Sequence, residues 1–370
     1  MKIRQISVYQ VDLTLAGGGY YLSGGRLFFD RLDSTIVRVE TDDGVHGWGE
    51  SCPWGATYLP AHGKGVRAAM DEFAPNLLGM DPRRIDRINE AMDLALPGHI
   101  YAKSAIDMAC WDILGKYSDL TLCDLLGGRV EGPVILHSSI STGTPEQMLT
   151  YVDNAVSRGY RIHSCKIGGE DIALDRARAQ ALAAHLPDAG ALTLDVNRAW
   201  LPDQAIQVMN AVEGRSIYFE QPCETLDECL QVRRLTSNPI ILDENIHTIH
   251  DIAHAWRCRI CEAIGLKVGR VGGLTKARKI RDFCVAMGIR MNIEDTGGSV
   301  LADTAAVHLA QSTSTIHRRA TWLCHDMCDV DIAPGQGARN ASGETDAPDL
   351  PGIGVDLDGI EPGQWVAEYK

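Results

Sequence analysis

The sequence predicts an α/β protein, a modified TIM-type (β/α) barrel with an α+β capping domain. Three observations lead to this fold class. The N-terminal stretch alternates apolar and polar residues as strands do, and a helical stretch follows it. From about residue 134, short apolar runs alternate with amphipathic stretches, eight times in succession. Eight strand–helix units at this spacing favour a closed parallel barrel over an open sheet.

Residues 1–130 contain the elements expected of the capping domain. The runs "KIRQISVYQVDL" and "STIVRVETDDGVHGWGE" alternate like strands, and "TDDG" is typical of a hairpin turn. The run "SAIDMACWDILGKY" carries apolar residues at helical spacing. The glycine-rich "AGGGYYLSGG" predicts a mobile loop, and its Tyr20 and Tyr21 are expected to cover a site.

Residues 131–335 contain the predicted catalytic barrel, and residues 336–370 form a separate C-terminal segment. The eight apolar runs of the barrel are "VILHSSIS", "RIHSCKIGG", "ALTLDVN", "SIYFEQP", "PIILDEN", "CEAIGLKVG", "GIRMNIED" and "RATWLCHD". The C-terminal segment is rich in Gly, Pro and Asp until "GQWVAEY", which is typical of a last strand. We expect that strand to return to the capping domain.

The composition of the chain excludes several classes of partner. A net charge of −14 makes nucleic acid and anionic membranes poor partners. No apolar run is long enough to span a bilayer, and the N-terminus lacks the apolar core of a signal peptide. Eleven cysteines without a pairing framework fit a reducing compartment. We therefore expect a cytoplasmic protein, assembled as a homo-oligomer, that acts on a small molecule.

Charged residues close five consecutive barrel strands, from the second to the sixth. In chain order they are Lys166, Asp195, Glu220, Asp243 and Lys267. Since all strands of a parallel barrel end on the same face, these side chains converge. Three neighbouring carboxylates repel one another unless a cation joins them, and hard oxygen ligands with room for water and substrate favour Mg²⁺. The alternative is that each acid caps the helix after its strand.

Lys166 and Lys267 flank the three acids and would face each other across the barrel mouth. A lysine near a divalent cation and a second amine can lose its proton near neutral pH, and it then acts as a base. The alternative is that two fixed ammonium groups bind an anion. The pattern itself therefore leaves acid/base chemistry and anion binding open.

The ordered series of motifs resembles the enolase superfamily, in the subgroup similar to muconate-lactonizing enzyme. The motifs are "AIDMACWDILGK" and "LLGG" before the barrel, "CKIGG" and "LKVGRVGGLTKA" at the two lysines, and the three strand-end acids. The resemblance implies a capping domain, built from both chain ends, over a modified TIM barrel. It also implies that Asp195, Glu220 and Asp243 bind one Mg²⁺ and that Lys166 and Lys267 form the acid/base pair.

The reaction that this resemblance implies is removal of the proton α to a carboxylate, with the metal stabilising an enediolate. Lysines on both faces allow inversion of the α-carbon, or dehydration if a β-leaving group departs. Ser164 stands where many members carry a further lysine, so the pKa of Lys166 is expected to be less depressed. A catalytically silent barrel that binds an amino acid or a metal is the alternative of another class, and the five filled positions argue against it.

Aromatic residues in the predicted loops indicate the substrate's charge. The loop "CPWGATYLPAHG" offers Trp54 and Tyr58, and Trp322 lies near the end of the eighth strand. Aromatic faces with nearby acids suit a quaternary or protonated amine, although packing of the lid against the barrel is the alternative. The pattern is similar to family members that act on proline betaines and hydroxyprolines. We therefore predict a zwitterionic, proline-sized carboxylate that is racemised or epimerised, with dehydration of a 3-hydroxyproline as the alternative.

The acids after the seventh strand complete the predicted site. Glu294 and Asp295, with Asp326 further on, are candidates for holding the cationic group, and the first two also for supporting Lys267. The predicted substrate-binding residues are Tyr20, Tyr21, Trp54, Tyr58, Asn197, Glu294, Asp295 and Trp322.

Overall fold

The computed structural model describes residues 1–23, 27–169, 171–186 and 191–370. Its strands are β1 (Ile3–Thr14), β2 (Tyr20–Tyr21), β3 (Phe28–Phe29), β4 (Arg31–Thr41), β5 (His46–Ser51), β6 (Val134–Ile135), β7 (His137–Ile140), β8 (Ile162–Lys166), β9 (Leu192–Asp195), β10 (Tyr218–Glu220), β11 (Ile240–Leu242), β12 (Ala263–Lys267), β13 (Arg290–Glu294), β14 (Arg318–Ala320), β15 (Glu344–Thr345) and β16 (Gln364–Tyr369). Its α-helices are α1 (Gly63–Leu77), α2 (Ile85–Ala95), α3 (Ile100–Ser118), α4 (Leu122–Leu125), α5 (Pro145–Ser157), α6 (Ile172–His185), α7 (Pro202–Asn210), α8 (Leu226–Arg233), α9 (Ile249–Cys258), α10 (Val268–Val271), α11 (Leu274–Met287) and α12 (Val300–Gln311).

The cap is built on a four-stranded sheet in the order β16-β1-β4-β5, with α3 packed against β5. The glycines of β5 make this close packing possible. A Cβ on Gly49 would lie 2.0 Å from the Ala105 carbonyl oxygen, and one on Gly47 would lie 2.2 Å from that of Ala109. Strand β16 pairs antiparallel with β1, so the C-terminal segment packs with the N-terminal one.

The barrel consists of β7 to β14, eight parallel strands in chain order, and confirms the predicted fold class. Helices α5 to α12 connect consecutive strands. A parallel bridge between Leu136 and Thr321 joins the two ends of the sheet and closes it. The register places Lys166 and Glu220 beside Asp195, so the strand-end charges lie at one level.

Glu50 of β5 ties the cap to the barrel. Its carboxylate accepts hydrogen bonds from the Ser34 hydroxyl, from the backbone and hydroxyl of Ser299, and from the Ala302 backbone at the start of α12. Glu50 is fully buried, and burial raises the pKa of its carboxyl despite these donors. The cap is therefore docked through a buried polar contact as well as through apolar packing.

Two further observations bear on the sequence predictions. The end of the predicted glycine-rich loop, Gly24 and Gly25, lies outside the described residues. Within the described part of the chain, no helix is long and apolar enough to cross a membrane.

Candidate active site

A cavity lies at the carboxyl ends of the barrel strands, under the cap, and its empty space, part of which is open to solvent, is about 460 Å³. This is the face where barrel enzymes place their catalytic groups. Its lining combines charged strand-end residues with aromatic residues of the cap and of the eighth strand. The lining residues are Tyr20, Leu22, Trp54, Tyr58, His137, Ser139, Ser164, Lys166, Asp195, Glu220, Lys267, Glu294, Thr296 and Trp322.

Lys166 and Asp195 form a buried ion pair on neighbouring strands, in which the Lys166 ammonium donates to Asp195 Oδ2. Asn197 orients the same carboxylate, since its backbone N–H lies 3.0 Å from Oδ1 and its amide nitrogen lies 3.3 Å from Oδ2. Burial lowers the pKa of Lys166, but the charge and hydrogen bond of Asp195, with contributions from Tyr20 and Glu220, together raise that pKa above its ordinary value. The pair therefore holds Lys166 protonated in this arrangement.

Lys267 is held by carboxylates of two strands. Its Nζ lies 2.9 Å from Glu294 Oε1 and 3.8 Å from Asp243 Oδ2. The other oxygen of Glu294 lies 2.8 Å from His137 Nε2. Burial lowers the pKa of Lys267, but the charges of Asp243 and Glu294 raise it above its ordinary value. The carboxylate of Glu294 thus contacts both Lys267 and His137. The contact with Lys267 is consistent with the expectation that Glu294 supports this lysine.

Asp243 is shared between the cavity and a buried arginine. Its Oδ1 accepts a 2.7 Å hydrogen bond from Arg270, which is fully buried, while its Oδ2 lies 3.5 Å from the Tyr58 hydroxyl. Tyr58 and Lys267, the neighbours of Oδ2, both line the cavity. One oxygen of Asp243 therefore faces the cavity side while the other is held from behind.

Glu220 lies between the two other acids and receives no side-chain hydrogen bond from the described residues. Burial and the charges of Asp195 and Asp243 raise its pKa well above the ordinary value. The carboxylates in and around the cavity outnumber the cations beside them. The carboxylates are Asp195, Glu220, Asp243, Glu244 and Glu294, and the cations are Lys166, Arg198, Lys267 and Arg270. This donor set fits a divalent cation with oxygen ligands.

The three strand-end acids do not converge as closely as a shared ion would need. Across the described ranges, the group of His, Cys and carboxylate atoms that all lie within 4.8 Å of one another is His46, Asp356 and Asp358, at the edge of the cap. The carboxylates of the barrel mouth are instead drawn toward Lys166 and Arg270. The strand ends that carry the three acids already face one cavity. To share one ion, the acid side chains would have to turn inward.

Aromatic rings form the cap side of the cavity. The ring centroids of Trp54 and Trp322 lie 5.7 Å apart, and those of Tyr20 and Trp54 lie 6.0 Å apart. The Tyr20 hydroxyl lies 2.6 Å from that of Ser139 on the first barrel strand. No acceptor for the buried indole N–H of Trp54 occurs among the residues that the structure describes.

Three predicted substrate contacts are corrected by the structure. The Tyr21 side chain is 44% exposed and packs on Phe28, with ring centroids 4.7 Å apart, because neighbouring residues of a strand point to opposite faces. Asp295 accepts from the Gly269 and Thr296 backbones behind the cavity, and burial raises the pKa of this carboxyl to about 7. Asp326 accepts from Tyr160 and Asn340, also outside the cavity.

The remaining predicted residues lie in or beside the cavity, and two further residues were missed. Asn197 is not part of the lining but orients Asp195, as described above. His137 and Arg270 were not predicted. The run "VILHSSIS" contained the signal for His137, since every second residue of a strand faces the same side and both His137 and Ser139 line the cavity. The last residue of each run, on which the prediction was based, does not include His137.

A parallel barrel whose strand ends carry three acids between two lysines, under an α+β cap, defines a TIM-barrel enzyme with a candidate oxygen-ligand metal site. Two family profiles match the chain. The mandelate racemase / muconate lactonizing enzyme N-terminal domain matches residues 30–127, and the enolase C-terminal domain-like profile matches residues 147–361. The chain belongs to the enolase superfamily, in its mandelate racemase/muconate lactonizing enzyme family.

Similar proteins cover most or all of the chain. The cis-3-hydroxy-L-proline dehydratase of Roseibium aggregatum is 41% identical over 370 residues, which are 100% of both chains. The L-Ala-D/L-Glu epimerase of Bacillus subtilis is 28% identical over 87% of this chain and 89% of its own. A crystal structure of an enolase-superfamily member from Roseovarius nubinhibens ISM, complexed with magnesium, is 53% identical, with a TM-score of 0.93 and coverage of 100% of this chain and 99% of that one. This chain is thus an enzyme of a superfamily whose chemistry is Mg²⁺-dependent α-proton abstraction.

Proposed function

We propose that this enzyme dehydrates a 3-hydroxyproline, with cis-3-hydroxy-L-proline as the first candidate substrate. The observation that carries the proposal is the similarity, at 41% identity over the full length of both chains, to a cis-3-hydroxy-L-proline dehydratase. Three relatives named as epimerases of dipeptides are less similar, at 26% to 30% identity. We therefore prefer dehydration to epimerisation, although epimerisation was the main prediction from the sequence.

We also propose that Asp195, Glu220 and Asp243 hold one Mg²⁺. Their position on adjacent strand ends, their burial and the surplus of carboxylates support this assignment. When bound, the ion supplies a positive charge that stabilises the substrate carboxylate as negative charge develops on it. Arg270 and Asn197 would then hold Asp243 and Asp195 from behind, as they do in the structure.

The positions of Lys166 and Lys267 suit an elimination across two faces of a ring. In a cis-3-hydroxy acid the carboxylate and the hydroxyl lie on the same ring face, so the α-hydrogen lies on the face opposite the hydroxyl. A lysine on one face, after losing its own proton, removes the α-proton, and the electron pair of that C–H bond forms the C2=C3 bond. The C3–O bond breaks, and the other lysine protonates the departing oxygen, which leaves as water. The resulting enamine tautomerises to the cyclic imine.

The aromatic wall supports a ring-sized substrate with a protonated nitrogen. Trp54, Trp322 and Tyr58 line the same cavity as the acids, with the Tyr58 hydroxyl 3.5 Å from Asp243 Oδ2, and aromatic faces attract a desolvated ammonium. The Trp54 indole N–H, for which the described residues offer no acceptor, would be satisfied by a substrate oxygen. A sugar acid would need more donors for its hydroxyls than this wall provides.

Epimerisation at the α-carbon is the second candidate. It is favoured by one observation, that both lysines line the same cavity, since a lysine on each face can remove and return the α-proton. The two reactions share the first step and differ only in what leaves or returns afterwards.

One NMR experiment in D₂O with Mg²⁺ separates the candidates. The panel would contain cis- and trans-3-hydroxyproline, trans-4-hydroxyproline, proline and proline betaine. Loss of the cis-3-hydroxy-L-proline signals with formation of the imine would support dehydration. Inversion at the α-carbon without loss of water would establish epimerisation instead. Absence of α-proton exchange in every panel member would show that the proposal is wrong.

A further inference from the structure

Glu294 is a buried carboxylate that joins two side chains from other strands of the barrel. Its Oε1 lies 2.9 Å from Lys267 Nζ on the sixth strand. Its Oε2 lies 2.8 Å from His137 Nε2 on the first strand. Glu294 is 3% exposed and His137 is 7% exposed, so little water competes for these contacts. The three side chains thus form one chain of contacts across the barrel mouth.

The direction of these hydrogen bonds follows from the charge of Glu294. Burial raises the pKa of Glu294, but Lys267 and His137 lower it by more, so that the net pKa lies well below its ordinary range. An ionised carboxylate only accepts hydrogen bonds, and His137 Nε2 must therefore carry a hydrogen. His137 donates to one oxygen of Glu294 and Lys267 donates to the other.

The two lysines of the cavity differ in how they are held. Lys166 is paired with Asp195, which belongs to the proposed metal site, and Ser164 and Ser139 contribute hydroxyls to the same lining. Lys267 is paired with Glu294, which lies outside the proposed metal set. The ion pair of Lys267 with Glu294 can therefore remain when Asp195, Glu220 and Asp243 bind a metal ion.

We propose that His137 is a positioning residue that acts through Glu294 to fix the ammonium of Lys267 over the substrate. Without the His137 donor, the Glu294 carboxylate is held on one oxygen only and can rotate, which moves Lys267. A reacting group misplaced by about 1 Å can cost about a hundredfold in rate. The part of this inference in which Lys267 acts on the substrate rests on the proposed function.

The variants that test this inference separate position from packing. His137→Leu removes the donor, His137→Gln keeps a donor amide, and Glu294→Gln removes the carboxylate charge. His163→Leu is the matched control, since His163 is a buried histidine on the second strand that contacts the Ser138 hydroxyl rather than Glu294. All four are measured as Mg²⁺-loaded enzyme beside the double variant His137→Leu/Glu294→Gln.

The expected kinetics follow from a role in positioning rather than in binding. His137→Leu should lower kcat by about tenfold to a hundredfold while KM changes by less than about threefold. His137→Gln should recover most of kcat, and His163→Leu should keep the wild-type value. The double variant should be no slower than Glu294→Gln alone, because both changes break the same chain of contacts. Wild-type kcat in His137→Leu, or losses that multiply in the double variant, would overturn the inference.

A second readout needs no substrate. In ¹⁵N-lysine-labelled protein with Mg²⁺, the Lys267 ammonium signal, assigned with Lys267→Arg, should move in both Glu294→Gln and His137→Leu but not in His163→Leu. An unchanged signal in His137→Leu would overturn the inference even if kcat falls. A shifted signal in an enzyme that dehydrates no hydroxyproline would leave the positioning role intact and reject the proposed function.

Discussion

The indole ring of Trp54 lies 5.7 Å from that of Trp322, centroid to centroid and tilted by 50°, so that a loop of the cap meets the end of the eighth barrel strand. Both rings also line the cavity. This part of the cavity wall is therefore made by two parts of the chain that are far apart in sequence. We expect substrate selection to depend on the docked cap as well as on the barrel.

Trp322→Ala should weaken binding of a quaternary amine more than that of a secondary amine. A methylated nitrogen cannot donate hydrogen bonds and relies on the ring face, which contributes about 0.5–2 kcal/mol when desolvated. We expect KM for proline betaine to rise by about twofold to thirtyfold, which corresponds to this range. Trp322→Phe keeps an aromatic face and is the control. Equal changes in KM for betaine and proline would contradict a cation–π role.

Glu220→Gln should abolish activity without weakening the metal-free fold. Glu220 is buried beside two other acids and receives no side-chain hydrogen bond from the described residues, so its charge is a source of repulsion when no metal is bound. In EDTA the variant should melt at or above the wild-type temperature. With Mg²⁺ the wild type should gain stability by ligand binding, and the variant should gain little. Equal stabilisation of both proteins by Mg²⁺ would place the metal elsewhere.

Each lysine should be needed for turnover, and the two alanine variants should differ in whether they still exchange the α-proton of the substrate. Lys166→Ala and Lys267→Ala should each stop dehydration, because one face then lacks its acid or its base. The variant that keeps the base should still exchange the α-proton of the substrate with D₂O, whereas the other should not. ¹H NMR of the substrate in D₂O measures exchange and water loss together. Full turnover in both variants would show that neither lysine is catalytic.

Much of the barrel and of its charged rim could be predicted from the sequence. The apolar runs set the strands, and the residue that ends each run falls on the catalytic face whatever the packing of the helices. Periodicity did not show which member of an adjacent pair faces inward. Tyr20 and Glu294 line the cavity, whereas their neighbours Tyr21 and Asp295 do not.

Contacts that depend on tertiary structure could not be predicted from the sequence. Arg270 is a fully buried cation whose partner, Asp243, lies on another strand–helix unit. His137 contacts Glu294 only because the barrel closes and brings the first strand near the seventh. Lys166 and Arg270 also draw Asp195 and Asp243 aside, which spacing along the chain does not reveal.

Ser23→Ala should loosen the loop that covers the site. The Ser23 hydroxyl lies 2.8 Å from the Asp195 carbonyl oxygen and 2.8 Å from the Asn197 amide oxygen, so the loop contacts residues beside the proposed metal site. Loss of a buried hydrogen bond costs about 1 kcal/mol, and the closed loop should be less populated. We expect faster proteolysis of residues 16–23 and a higher KM. Tyr21→Ala is the control, because that side chain is 44% exposed and lies outside the cavity.

The pair of His325 and Asp303 should make stability depend on pH. Both the backbone N–H and the Nδ1 of His325 lie within hydrogen-bond distance of Asp303 Oδ2, at 2.9 Å and 2.7 Å. Burial lowers the pKa of His325, but the hydrogen bond and charge of Asp303, with the charge of Asp326, together raise that pKa above its ordinary value. A group whose pKa is higher in the folded state than in the unfolded state stabilises the fold below the unfolded pKa, and this contribution is lost as the pH rises through the folded pKa.

Asp303→Asn should therefore remove a pH dependence that the wild type shows. The free energy of unfolding of the wild type, measured with urea, should fall relative to that of the variant as the pH rises from about 6 through the raised pKa of His325. The variant is expected to be less stable at pH 6, because it loses the charged partner of a buried imidazolium, and the gap should narrow at higher pH. His308→Gln should have the opposite effect, because burial lowers the pKa of His308 to about 4 and the variant therefore loses a rise in stability as the pH increases toward about 6.5. A gap between wild type and Asp303→Asn that stays constant with pH would show that His325 is neutral in the folded protein.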